Sequence, residues 1–263
     1  MNSENLLFII MLFVVFGFIT DKLLDFMNNR NWKDEIPDEM KGFYDKEKYL
    51  KSKQYHKAKG KTSLIQSFIG VVLLIVILIF GGFGILDNYI SIYTDNIFYR
   101  ALLFFGVLAL ISDFINIPFS VYNTFIIEEK FGFNKTTWKT FLLDKLKGYL
   151  LMTIIGGSLL IAAIFVVEKF PNDYWIWLWI GLTVFMLLMN MFYADLILPL
   201  FNKLTPLETG PLRTEIEQYS SKVGYSLKNI FIIDGSKRST KANAFFSGLG
   251  PRKTIALYDT LIE

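Results

Sequence analysis

From Thr62 to Leu86 the sequence runs for 25 residues without one Asp, Glu, Lys or Arg. That is longer than the roughly 20 apolar residues a helix needs to cross the hydrocarbon of a bilayer. Inside that hydrocarbon every backbone N–H and C=O must be satisfied within the segment or within a closed barrel. The chain is therefore read as a helical membrane protein. Four further stretches follow the same pattern: Asn5–Thr20, continuing through Leu23-Leu24; Ala101–Ile127, interrupted by Asp113 and Pro118; Gly148–Val167; and Tyr174–Ala194. Pro118 brings no N–H to its turn, which predicts a kink or a break there. Glu4 and no Lys or Arg precedes the first span and no small-residue cleavage site follows it, so it reads as an uncleaved anchor.

The lysines and arginines sort the loops. Eleven lie in Asp21–Lys61, one in Asp87–Arg100, five in Glu128–Lys147, one in Glu168–Asp173 and nine after Pro199. By the positive-inside rule this alternation predicts an N-terminus outside and a cytoplasmic C-terminal segment. Trp175, Trp177 and Trp179 then fall at the outer interface. An apolar content of 53% exceeds that of ordinary soluble domains, and a net charge of +3 concentrated in loops argues for topology and against a nucleic-acid partner. With no cysteine there are no disulfides and no thiolate metal ligands.

Two polar regions carry more than linker character. Phe43, Tyr44, Tyr49, Leu50 and Tyr55 are spread through the charges of the first loop, which predicts helix packed against a neighbour. After the fifth span, Pro211 opens a helix whose stripe is Leu212, Ile216, Tyr219 and Val223 and which ends at Gly224. Ile230–Ile233 and Thr254–Tyr258 read as strands, with a third at Asn243–Phe246, punctuated by Asp234-Gly235-Ser236 and by Gly248–Pro251. Asp259-Thr260 stands as the N-cap of a further helix. The fold expected is an all-α domain of about five transmembrane helices over residues 1–198, followed by the start of a small α+β domain over 199–263.

The blocks PLFNKLTPL (Pro199–Leu207), DGSKRS (Asp234–Ser239), NAFFSG (Asn243–Gly248) and IALYDTLI (Ile255–Ile262) resemble the type I CAAX prenyl proteases, integral-membrane zinc metalloendopeptidases. YLKSKQY (Tyr49–Tyr55) and EEKFGFNKTT (Glu128–Thr137) are similar to that family's loops after its first and third membrane helices, so the resemblance runs from about Pro37 to Glu263. It implies that residues 199–263 open a cytosolic metalloprotease domain cut before the zinc-binding HExxH helix, which in the family follows soon after the DTL block. Zinc is the cofactor of the complete family member. This sequence has a single histidine, His56, and so no HExxH, which leaves the 263 residues without the means to bind zinc at that site and predicts that they are inactive by themselves.

The same resemblance assigns Asn243, Ala244 and Phe245 to a strand that pairs its backbone with an extended peptide or membrane-protein substrate. The plain alternative for Asn243 is a turn residue near Gly248. Lys237 and Arg238 read as a solvated basic pair, since DGSKRS lacks the glycine spacing of a phosphate loop. Carboxylates at membrane depth are costly and face a partner or water. Asp113 and Asp195 are accordingly candidates for lining the water-filled chamber that the resemblance implies, or else Asp113 marks a shorter third span. Arg100 is explained by snorkelling and His56 by surface exposure. A proton-coupled transporter using Asp113 or Asp195, and a non-catalytic membrane scaffold, are the competing classes.

Overall fold

The structure is a computed structural model that describes residues 3–38, 41–42 and 45–262. It divides into two compact units, Met1–Phe131 and Gly132–Glu263.

The first unit holds α1 (Ser3–Asn31), α2 (Lys46–Ile79), α3 (Gly82–Ser91) and α4 (Ile97–Tyr122), the last running into a π-helical turn at Asn123–Glu128. The charged first loop from Lys46 onward and the second span form one helix of 34 residues, while the start of that loop, to Asn31, continues α1. Asp45 caps it, its Oδ1 accepting the N–H groups of Glu47 and Lys48 at 2.9 and 3.0 Å. Tyr49 meets Trp32 edge-on at 6.2 Å and Tyr55 meets Phe131 at 5.3 Å, as a packed loop requires. Phe43 and Tyr44 lie outside the described residues. The uncharged run Thr62–Leu86 is split rather than continuous, because Gly81 takes φ +63°, a left-handed conformation that ends α2 and caps α3. α4 continues through Pro118, and the helix widens one turn later at the π-turn. Gln66 Nε2 donates to Asn116 Oδ1 at 2.6 Å between α2 and α4. Arg100 is held by more than snorkelling, since its Nε donates to Asp87 at 2.7 Å.

The second unit opens with two more membrane-length helices. α5 (Trp138–Leu151) and α6 (Gly157–Lys169) are joined through a π-turn, and α7 (Tyr174–Phe192) passes through another, Tyr193–Ile197, into α8 (Leu198–Phe201). Among the described residues, five helices are long and apolar enough to cross a membrane, and their apolar windows are at most 11% buried within the protein. Phe13, Phe114 and Trp179 stand 71, 78 and 69% exposed. Surfaces of that kind belong in lipid, so this is an integral membrane protein.

β1 (Leu204–Pro206), α9 (Pro211–Lys222), β2 (Asn229–Ile233), β3 (Ala244–Ser247), β4 (Thr254–Tyr258) and α10 (Asp259–Ile262) complete the unit. The strands form one mixed sheet in the order β1-β2-β4-β3, with β2 and β4 parallel and the outer pairs antiparallel. Alternation sends Ile233, Ala256, Phe245 and Tyr258 to a core with Leu198 and Leu204. Ile230, Ile232, Ile255 and Leu257 go to the opposite face, with Leu207, Leu227 and Ile216 of α9. The sheet is thus packed on both faces, and its edges are left to settle what it can bind.

Candidate functional site

β3 is one of those edges. Its turn into β4 depends on Gly248, which takes φ +98°, and a Cβ there would lie 2.1 Å from the Arg252 carbonyl oxygen. The tight return brings Ala244 opposite Leu257 and Phe246 opposite Ile255. Tyr258 N–H donates to the Asn243 carbonyl at 2.9 Å, which makes Asn243 and Tyr258 a hydrogen-bonded pair of the ladder. In an antiparallel ladder such pairs alternate with non-bonded ones. Asn243, Phe245 and Ser247 therefore turn their backbone groups to β4, while those of Ala244 and Phe246 face outward.

Three candidate residues of the sequence thus receive different surroundings. Asn243 is exposed, and its Oδ1 accepts the Ala244 N–H at 2.9 Å, so that the carboxamide's donor is its Nδ2. Ala244 is exposed with outward backbone. Phe245 is half-buried, packing its ring against Leu198, Ile233 and Ala256 and edge-on to Tyr193 at 6.3 Å. Phe246, which sequence reasoning did not single out, is the second outward residue and is 73% exposed. The register of β3 against β4 is the signal that finds it.

Two apolar hollows flank this strand. One, of about 730 Å³, lies between the sheet and α9 and is walled by Ile216, Tyr219, Val223, Phe246, Ile255 and Leu257. The other, of about 410 Å³, lies between the C-terminal end of α7 and β3 and is walled by Phe185, Met186, Met189, Tyr193 and Phe245, with Asn190 and Ser247 at its polar side. A chain laid along the β3 edge would direct alternate side chains to opposite sides of the sheet.

The loop before β3 is tied down. Arg238 donates from Nε and Nη2 to the two oxygens of Asp144 at 2.7 and 2.9 Å, from Nη1 to Asn202 Oδ1 at 3.0 Å, and from Nη2 to the Phe201 carbonyl at 2.6 Å. The hydrogen bonds that Arg238 donates to the Asp144 carboxylate raise its pKa above the ordinary value. The solvated basic pair read from the sequence is corrected here for one member: Lys237 is exposed, whereas Arg238 is enclosed by its own chain. Asp259 accepts the Ser236 N–H at 2.8 Å and the Ser236 hydroxyl. Burial works to raise the Asp259 pKa, but those bonds, with backbone N–H groups of Thr260 and Gly235, outweigh it and hold the carboxyl below the usual carboxylate range.

Asp195, in the π-turn after α7, pairs with Arg252 at 2.7 Å and Lys228 at 3.3 Å. Asp113 is half-buried on α4, and His56 is exposed with its ring 5.1 Å from Trp32. Among the described residues no three His, Cys, Asp or Glu side chains gather as a metal site. One histidine cannot supply the pair that HExxH provides, so these residues do not fit zinc at such a site.

Known proteins share this sequence pattern and fold. A sequence profile described as CAAX prenyl protease N-terminal, five membrane helices, matches residues 26–203, and that of peptidase family M48 matches residues 206–263. The chain is 37% identical over 237 residues to the probable CAAX prenyl protease 1 of Schizosaccharomyces pombe, covering 83% of this chain and 49% of that one. The CAAX prenyl protease 1 homolog of Arabidopsis thaliana is 36% identical, covering 87% and 55%. The crystal structure of S. mikatae Ste24p superposes with a TM-score of 0.90 at 33% identity, over 98% of this chain and 62% of that one. The chain spans about half the length of the curated relatives it matches.

Proposed function

The chain belongs to the type I CAAX prenyl protease family, peptidase family M48, and on that premise we propose that it is the membrane and substrate-strand part of a zinc metalloendopeptidase cleaving peptide bonds of membrane-associated substrates, prenylated ones included. Residues 1–198 serve as the membrane domain and 199–263 as the beginning of the protease domain. The observation that carries the reading is the open β3 edge, where Ala244 and Phe246 turn their backbone outward between two apolar hollows. An extended peptide adds to that edge as a fifth strand, with main-chain hydrogen bonds for affinity and the hollows for side-chain choice. Asn243 Nδ2 donates to a peptide carbonyl beside Ala244, and Phe245 anchors the strand to the core.

Zinc belongs to the complete family member in this reading, and the 263 residues alone are inactive as a peptidase. Asp113 and Asp195 each face water at membrane depth, with the N-terminus outside and the C-terminal segment in the cytoplasm. The cysteine-free chain lets single introduced cysteines at 113 and 195 report this through water-soluble thiol reagents; no labelling in folded protein at either position removes that residue's assignment.

Binding is the direct test. A short fluorescent apolar peptide, prenylated or plain, binds the purified chain, and Ala244→Pro weakens it by about tenfold by removing one edge donor and one outward position. Unchanged affinity in that variant overturns the edge-strand reading, and zinc-dependent cleavage by the wild-type chain overturns the inactivity.

A further inference from the structure

We propose that Arg238 and Asp144 form a positioning pair that fixes the β3 edge relative to the membrane helix α5. The proposal rests on the edge-strand reading above. Asp144 stands on α5, the first part of the membrane-length helix Trp138–Lys169, and Arg238 lies in the DGSKRS loop that leads to β3. Four hydrogen bonds from a single guanidinium, two of them a fork onto one carboxylate, fix the orientation of Arg238 as well as its distance.

The backbone beyond Arg238 has little slack. Its own carbonyl accepts the Lys135 N–H at 3.0 Å and the Thr136 hydroxyl at 3.1 Å. Ser239 pairs with Asn134 in an isolated bridge, and Thr240 donates its N–H to Phe133 at 3.1 Å and its hydroxyl to Gly132 at 3.0 Å. The Lys241 carbonyl then accepts the Thr260 hydroxyl at 2.9 Å, and that of Asn243 accepts the Tyr258 N–H. Between Thr240 and Asn243 only two residues intervene, and extended chain spans at most about 3.6 Å per residue. A shift at Arg238 is consequently passed to Asn243 and Ala244 and cannot be absorbed on the way. This gives DGSKRS and FGFNKTT a shared task, since each supplies one side of the bracket.

The polar chemistry favours a device over a plain surface pair. The Asp144 and Arg238 side chains are 26 and 24% exposed, so removing either partner leaves the other charge partly buried and the bracket free to move. Arg238→Lys keeps the charge and loses the fork, which separates orientation from charge.

The experiment uses the whole chain in detergent with the same fluorescent apolar peptide, alongside spin labels on Leu146→Cys and Leu249→Cys in the cysteine-free background. Arg238→Gln and Asp144→Asn are expected to weaken peptide binding about tenfold and to widen the label–label distance distribution, with Arg238→Lys intermediate. Exchanging the charges, Asp144→Arg with Arg238→Asp, restores a substantial part of both, which an unspecific loss of stability does not do. Wild-type affinity and an unchanged distance distribution in Arg238→Gln overturn the pair's role. If Ala244→Pro is also without effect on affinity, the edge-strand reading has failed and the positioning role falls with it. If Ala244→Pro abolishes binding while Arg238→Gln does not touch it, only the positioning role is lost.

Discussion

The two edges of the small sheet are built in opposite ways. On β1, Leu207 N–H donates to Ile230 at 2.9 Å and Asp234 N–H donates to Lys203 at 3.3 Å, so Lys203, Thr205 and Leu207 face β2 while Leu204 and Pro206 face outward. One of the two outward positions is a proline, which has no N–H to offer. On β3 both outward positions, Ala244 and Phe246, keep their N–H groups, and Phe246 adds an exposed ring. Open strand edges invite pairing with other chains, and short strands and edge prolines are common means of closing them. The sheet thus closes one edge and leaves the other open beside two hollows, and that second edge is the one proposed above to take a ligand strand. Asn243 then guards the open edge in the free protein by covering the Ala244 N–H with its own carboxamide oxygen.

The comparison breaks most completely at Gly248. Any side chain there meets the Arg252 carbonyl and demands a left-handed backbone of a residue that resists it. Gly248→Val is expected to cost roughly 2–4 kcal/mol and to unpair β3 first. Amide exchange should accelerate at Phe245 and Ala256 while the Leu207 to Ile230 bond of the other edge stays protected. Uniform protection in the variant would show that the turn does not hold the open edge.

Ala244→Pro comes next in size, because it copies onto β3 the device that closes β1. The Ala244 N–H makes no ladder bond, so the fold should survive, with the thermal midpoint within a few degrees of wild type and peptide affinity down about tenfold. Loss of the sheet itself would mean that position 244 is structural and that the two edges differ less than their backbones suggest.

Asp259 fastens the loop that leads to the open edge, and its effect is smaller because the carboxylate remains largely solvated. Its folded pKa lies below the ordinary value of about 3.9, so its contribution is complete above that pH and is lost as pH falls through the folded value. Wild-type stability should therefore fall more steeply with acid below about pH 4 than that of Asp259→Asn. Parallel acid limbs in the two proteins would remove Asp259 from the latch.

Much of this was legible before any coordinates. Uncharged runs give the five helices, because bilayer thickness leaves few alternatives, and the β-branched runs between Gly and Pro give β2 and β4. The division at Gly81 was hidden inside an apolar stretch, since hydropathy averages over a residue whose effect is a dihedral angle. The site was legible by its segment and not by its residues. NAFF marks the strand, but which of its backbones face outward depends on register against β4, a contact across several intervening residues. Arg238 looked solvated for a related reason: Asp144 lies 94 positions away, and nothing local in DGSKRS announces it.

The smallest effect is expected where the closed edge is opened. Pro206→Ala restores an outward N–H to β1 at an exposed position, and its cost to the fold should stay within about 0.5 kcal/mol. The variant distinguishes two sources of selectivity at β3. If unpaired donors alone attract a peptide, Pro206→Ala gains a second binding site of comparable affinity, visible as a doubled stoichiometry in the fluorescence titration. If the hollows walled by Met186, Met189, Ile216 and Tyr219 supply much of the affinity, β1 gains almost nothing, because its three residues have no such walls of their own. The second result is expected, since a short strand edge offers few hydrogen bonds and each is worth only about 1 kcal/mol net of water.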